Sequence, residues 1–326
     1  MDATRKDRAL GAIFGTLIGD ALGMGCHWYY DLGALRHDHG WVRDYVRPKP
    51  GTWHAGLGAG QSSQTGQVAR LLLASLAARG GYDRADVTAR LDALLATLDG
   101  TIHGGRVTDL AMRDVWAARR EGRPWGACGS LAETSEAATR GAILAAVMCD
   151  DPPRLARTAW DDIQLTHRDP FIAAQALAFV LTVASSIQGG DLRDASHRAK
   201  SWAGGLGVIP QATDCFLQPG FVERAARNPA LAEVDPIAIA ELYGLPCQQG
   251  MLLPAAYFFA ARFGADFEAA VLTAVNSGGN NMARAGLTGA LVGARVGLAG
   301  IPARFVSGLE DAATVRADAE RALTRL

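Results

Sequence analysis

Apolar residues recur at helical spacing along almost the whole chain, and the alternation expected of a half-buried strand is nearly absent. Val68 to Ala78 reads as an apolar helix stopped by Arg79-Gly80-Gly81. Asp83 caps the next helix, Arg84 to Leu98, which Gly100 ends. Amphipathic patterns follow over Thr108 to Arg120 and Ala132 to Met148, the latter with capping chemistry in Thr134-Ser135-Glu136. Asp169-Pro170 places proline in a first helical turn, ahead of the apolar run Phe171 to Ile187. Further helices are predicted from Asp191 to about Trp202, from Asp235-Pro236, over Pro246 to Arg262, over Ala265 to Val275 and from Val306 to Leu326. The pattern predicts an all-α, single-domain orthogonal multi-helix bundle over residues 1–326. Two stretches, 27–62 and 203–220, show no clear period and are expected to be long irregular segments. Such segments in compact domains are often functional.

Two helices set their glycines on one face. The first carries Gly11, Gly15, Gly19 and Gly23 at a strict four-residue step, with Asp20 beside the seam. The second carries Gly286, Gly289, Gly293 and Gly297, after Asn276-Ser277-Gly278-Gly279-Asn280-Asn281. Residues three and four apart share a helix face. Each mid-helix glycine costs about 1 kcal/mol against alanine, so a stripe needs a physical reason, and close approach of another backbone is the usual one. Both helices are therefore expected at the centre, with Asp20, Asn276, Asn280 and Asn281 near a shared pocket. The plain alternative is two ordinary core helices with loose N-caps.

Composition narrows the classes. The 32 basic and 33 acidic residues nearly cancel, which argues against nucleic acid as a bulk electrostatic partner. Cys26, Cys128, Cys149, Cys215 and Cys247 are odd in number, scattered and never in a CxxC, as fits a reducing cytosol and no zinc knuckle. The charged start Met1-Asp-Ala-Thr-Arg-Lys-Asp-Arg lacks a signal core, so a cytoplasmic protein is expected. Phe171 to Ile187 is short for a membrane span and holds Gln175, Thr182 and Ser185-Ser186, so it reads as a buried helix, with no membrane partner. Nothing in the pattern specifies an oligomeric state.

The glycine segments also carry a resemblance. Gly15-Thr-Leu-Ile-Gly19-Asp20-Ala-Leu-Gly23 resembles the GxxxGDALG opening of the ADP-ribosylglycohydrolase family. Thr166-His167-Arg168-Asp169-Pro170 is similar to its THxDP, and Ala274-Val-Asn276-Ser-Gly278-Gly279 with Gly300-Ile301-Pro302 is similar to its closing AVNxGG…IP. The ordered matches run from about residue 9 to 309. Gly25-Cys26-His27-Trp28-Tyr29-Tyr30-Asp31, His54-Ala-Gly-Leu and Ala59-Gly60-Gln61 are similar to the J-crystallin-like branch. The resemblance implies the family's all-α bundle and its pocket. Family hydrolases carry TDDT at an early helix start and DTDT after the late glycine pair, and these groups hold two magnesium ions. Here the segments read Ser63-Gln64-Thr65-Gly66 and Asn280-Asn281-Met282-Ala283, with no acid in either. Magnesium prefers carboxylate and water oxygens, and Met282 offers only soft sulfur. No metal site of the family type and no cofactor is therefore expected.

The candidate chemistry gathers at the same places. Asp20 sits towards the C-terminal end of its helix, where the dipole disfavours an acid. It is the best candidate carboxylate, unless it serves only to bind a neighbouring helix start. His27 lies among Trp28, Tyr29 and Tyr30, a setting that suits stacking of a flat ring, with a half-buried structural histidine as the alternative. Gln61, Gln64 and Thr65, and Asn276, Asn280 and Asn281, supply neutral donors at two helix starts, for substrate binding or plain capping. Arg284 lies one turn on and is a solvated arginine by default. His103 and Asp109 flank a glycine loop and are candidates for acid–base work. His167, downstream of Asp161-Asp162, is a candidate for binding or for tying a turn. His37-Asp38-His39 lacks further ligands to close a metal shell, and Cys26 is read as packing.

The function expected is therefore a metal-independent hydrolase of the ADP-ribosylglycohydrolase type. It would act on an N-glycosidic or related bond of a small nucleoside- or sugar-like metabolite. Asp20 would be its carboxylate, with His27, His103 and Asp109 as partners. Two alternatives stand beside it: a non-catalytic ligand-binding or crystallin-like structural protein, and a repurposed biosynthetic enzyme of lyase or amide-bond chemistry.

Overall fold

The computed structural model describes residues 1–99, 106–207 and 209–324. In chain order the helices are α1 (Ala3–Met24), α2 (Leu32–His39), α3 (Gln64–Arg79), α4 (Arg84–Leu95), α5 (Leu110–Arg120), α6 (Glu136–Met148), α7 (Pro152–Ile163), α8 (Pro170–Ile187) and α9 (Leu192–Trp202). There follow α10 (Ile209–Ala226), α11 (Pro229–Ala232), α12 (Pro236–Tyr243), α13 (Gln249–Phe263), α14 (Phe267–Asn276), α15 (Asn281–Val296), α16 (Ala303–Gly308) and α17 (Ala312–Thr324). The fold is all-α: among the described residues there is no strand, only an isolated bridge between Ser130 and His167.

Helices α1 and α15 run antiparallel through the centre, backbone against backbone. A Cβ on Gly15 would lie 2.0 Å from the Gly289 carbonyl oxygen, and one on Gly11 would lie 2.2 Å from that of Gly293. Gly19 and Gly23 meet Ala285 and Met282 in the same way. The expected stripe is thus corrected in one detail. A Cβ on Gly286 would stand 3.4 Å from its nearest neighbour, an ordinary contact, because Ala285 takes that place in the register. Gly297 is the C-cap of α15, at φ 75°, rather than part of the helix.

Around this pair, α6, α8, α13 and α14 bury their apolar faces, and one continuous cluster of buried side chains runs from Ala9 to Leu323. Helix α8 is long and apolar enough to cross a membrane, yet 89% of it is buried inside the bundle, as a core helix would be.

Boundaries moved where caps or breaks outweighed periodicity. The stretch 27–62 contains α2, which Asp31 caps through the Gly33 and Ala34 amides. Most of 203–220 lies in α10, whose Pro219 and non-helical Ala212 had hidden the helical period. The predicted helix Val306 to Leu326 is two helices, broken where Leu309 is extended and Asp311 takes a φ of 52°. Helix α4 stops at Leu95, and α6 begins at Glu136 rather than Ala132.

Candidate functional site

The starts of α3, α5, α6 and α15, with the segment leading into α13, converge on one cavity of about 290 Å³. Its lining is mainly apolar and aromatic, with a few polar groups: Gln64 and Thr65 on α3, Asp109 capping α5, Glu136 opening α6, Asn280 capping α15, and Cys247 before α13. Helix starts carry partial positive charge. Four of them around one space favour an anionic group there over a cationic one.

The aromatic wall is built from the segment after α1. Trp28 stacks on His27 with ring centroids 4.7 Å apart and planes 19° apart, and meets Trp53 edge-on at 6.0 Å. His27 Nδ1 lies 3.1 Å from Asn281 Oδ1, while the Asn281 Nδ2 donates to the Val275 carbonyl. The Asn281 oxygen can only accept, so His27 carries its proton on Nδ1 and presents Nε2 as an acceptor. Burial, then the neighbouring His54, push His27 down to about 3. At neutral pH it is an uncharged hydrogen-bonding wall, too weakly basic to take a proton from water.

Two acids also line the cavity. Asp109 caps α5 by accepting from the Met112 amide at 2.9 Å. Burial raises it well above the ordinary carboxyl range, and the charge of Glu136 adds to the rise. Burial would raise Glu136 too, but its hydrogen-bonding and electrostatic contact with His167, and then the Thr134 hydrogen bond, outweigh it and hold Glu136 below its usual value. The His167 Nε2 stands 3.2 Å from Glu136 Oε2, and the Thr134 hydroxyl donates to the same oxygen. The two carboxyls are thus driven apart: Asp109 holds its proton more tightly than an ordinary carboxyl, and Glu136 favours the carboxylate form. Gln64 joins the two helix starts: its Nε2 donates to Thr108 Oγ1, and its Oε1 accepts from the Asp109 amide, both at 3.3 Å.

The remaining predicted site residues are placed as follows. Asp20 does not line the cavity. It accepts from the Ser63 amide at 2.9 Å and the Ser63 hydroxyl at 2.5 Å, behind the start of α3. Gly66 leaves room for it, since a Cβ there would come within 2.2 Å of the Asp20 Oδ2. Burial lifts Asp20 to about 6, opposed by its Ser63 hydrogen bonds. Asn276 bridges both backbone groups of Val42. Tyr29 donates its hydroxyl to Asp38, and Gln61 spans Gly58 and Glu310; neither reaches the cavity. His167 stands behind Glu136, fully buried. His103 lies outside the described residues. Arg284, read as solvated, is buried instead, donating to the Gly278 carbonyl, and burial lowers it to about 10.

Sequence reasoning passed over Glu136 as a functional group, because its position reads as a cap. It passed over Trp53 and Arg113 as well, since no local pattern distinguishes them, and it met His54 only within a segment of family resemblance, with no role assigned. Among the described residues, no three of His, Cys, Asp and Glu gather in a way that could hold a metal.

The sequence matches the ADP-ribosylglycohydrolase family model over residues 1–326. The fold is similar to that of a solved structure described as an ADP-ribosylglycohydrolase-related protein complex, with a TM-score of 0.69 and 22% identity over 99% of each chain. At that identity the likeness concerns the fold alone. No curated protein matches the sequence.

Proposed function

The chain belongs to the ADP-ribosylglycohydrolase family, and from that premise we propose that its cavity cleaves an N-glycosidic or related bond of a small nucleoside- or sugar-like metabolite by carboxyl acid–base chemistry. Family membership supports a hydrolase-like function. The observation that carries the finer reading is that Asp109 and Glu136 line one aromatic cavity, the first raised above the ordinary carboxyl range and the second held below it.

The residues do not fit a two-magnesium site. Ser63 is engaged with Asp20, and Gln64 is engaged with Thr108 and Asp109. Gly66 has no side chain, and the Oδ1 atoms of Asn280 and Asn281 accept from the amides of Ala283 and Met282. Two hard dications need anionic oxygen; residues 63–66 and 280–283 supply none, and the nearby Asp20 carboxylate is taken up by Ser63. No step is therefore assigned to a metal.

N-glycosidic hydrolysis passes through an oxocarbenium-like state. The glycosidic carbon–nitrogen bond breaks, and the Asp109 carboxyl gives its proton to the departing nitrogen. The Glu136 carboxylate stabilises the positive sugar carbon and takes a proton from the water whose oxygen bonds to that carbon. Exchange with solvent then restores both groups. Trp28 and Trp53 give aromatic surface against which a ring can pack, and a mainly apolar lining strengthens the charge interactions.

The test is turnover of a panel of nucleosides, nucleotides and ADP-ribosyl conjugates, with and without EDTA. Turnover insensitive to chelation, reduced about 10²–10⁴-fold in Asp109→Asn and Glu136→Gln, is the expected result. Turnover that requires magnesium, or that both variants retain, would sink the reading. Ligand binding without turnover would point to a binding protein instead.

A further inference from the structure

Behind Glu136 lies a buried polar chain that the cavity alone does not explain. Asp162, itself fully buried, accepts from Arg140 Nε at 2.7 Å, and its backbone carbonyl accepts from Arg140 Nη2 at 2.7 Å. The third limb, Nη1, donates to Thr166 Oγ1 at 2.8 Å. Thr166 Oγ1 is in turn 2.9 Å from His167 Nδ1. His167 Nε2 lies 3.2 Å from both Glu136 Oε2 and Thr134 Oγ1. The backbone holds this line straight: the Ser130 amide donates to the Thr166 carbonyl, and the Arg168 amide donates to the Ser130 carbonyl, which is the isolated bridge of the fold.

A guanidinium only donates, so Thr166 Oγ1 is an acceptor towards Arg140. Its own proton needs an acceptor, and His167 Nδ1 is the group in reach. Nδ1 is then bare and the imidazole proton sits on Nε2. The Thr134 hydroxyl donates to Glu136 and so can only accept from Nε2. From Arg140 Nη1 onward every bond thus runs in one direction, towards the Glu136 carboxylate, while Asp162 accepts from the other two limbs and holds the guanidinium in place. We propose that His167 is a positioning residue for Glu136: the Asp162–Arg140–Thr166 chain fixes it as the neutral Nε2–H form, and that N–H holds the Glu136 carboxylate ionised on the cavity wall.

This inference rests on the acid–base reading of the cavity, but its physical content is separate from turnover. Among the described residues, the charged and titratable groups facing Glu136 are Asp109 and Arg113 from α5, Arg140 from its own helix, His167 from the approach to α8, and Cys247 from the approach to α13. His27 and His54 line the same cavity. Only His167 both touches the carboxylate and is held from behind.

The experiment is imidazole 15N NMR of histidine-labelled protein, with the His167 signals assigned by their loss in His167→Gln. The expected spectrum shows Nδ1 unprotonated and Nε2 protonated. Thr166→Val should abolish that single form and move the acidic limb of the pH–rate profile up by about one unit, while Thr166→Ser should keep both as in the wild type. A doubly protonated His167, an Nδ1–H form, or an unchanged spectrum and pH limb in Thr166→Val would overturn the inference whatever the activity. If the spectrum is as expected but Glu136→Gln turns over normally, the proposed function falls and the hydrogen-bond assignment stands.

Discussion

Asp20 is fully buried and Asp109 only half-buried, and they have different consequences. Asp20 is lifted to about 6 from 3.8, mainly by burial. An acid raised on folding adds stability that is full below its unfolded value and is lost as pH climbs through its folded value. Wild-type protein should therefore lose on the order of 3 kcal/mol between about pH 4 and 6 through this group. His27 acts in the opposite sense. Held down to about 3, it contributes stability that is present above pH 6.5 and lost as pH falls towards 3. Urea midpoints across pH 4 to 7 for wild type and Asp20→Asn isolate the Asp20 share. The variant should lack the loss between pH 4 and 6, and parallel curves would show that Asp20 is not raised. The identity of Asp20 was legible from its motif, but its direction was not. Whether a carboxylate faces a cavity or a helix start depends on Gly66 and Ser63, 46 and 43 residues away.

At the scale of elements, the glycine stripes announced contact between two backbones, and that contact exists. What the stripe could not reveal is which glycines are needed. Gly15→Ala and Gly289→Ala each place a methyl within about 2 Å of a carbonyl oxygen on a rigid neighbouring helix. Each should cost about 3 kcal/mol or more, read as a lowered denaturation midpoint. Gly286→Ala should instead stabilise by about 1 kcal/mol, because its Cβ has ordinary room and alanine favours the helix. Equal effects at Gly286 and Gly289 would contradict the register described. Capping residues placed several helix starts correctly, as Asp83, Asp169 and Asp191 show. Ends and kinks were harder to read: α10 carries an internal proline and a non-helical residue, and such breaks erase the period that reading depends on.

For the whole molecule, the convergence of helix starts makes the cavity an electrostatic unit. Their dipoles offset part of the cost of keeping Glu136 charged, so the pocket does not require a dication to tolerate a carboxylate. Removing divalent metals with EDTA is accordingly expected to leave the thermal unfolding midpoint unchanged, and millimolar magnesium should not raise it. A ligand of the cavity would raise it by mass action, by roughly 2.7 kcal/mol at a hundredfold excess over its dissociation constant. A magnesium-dependent rise would restore metal chemistry to the site.

Periodicity, caps and glycine spacing are local properties, and they determined that this chain is all-α, that two helices cross at backbone contact, and that polar residues gather at helix starts. Tertiary structure decided which of those starts face one another. It turned Asp20 and Asn276 towards backbone partners, set Asp109 against Glu136, and placed His167 between Glu136 and a buried arginine. Those outcomes depend on groups far apart in sequence sharing protons and desolvation, and neither spacing nor composition encodes them.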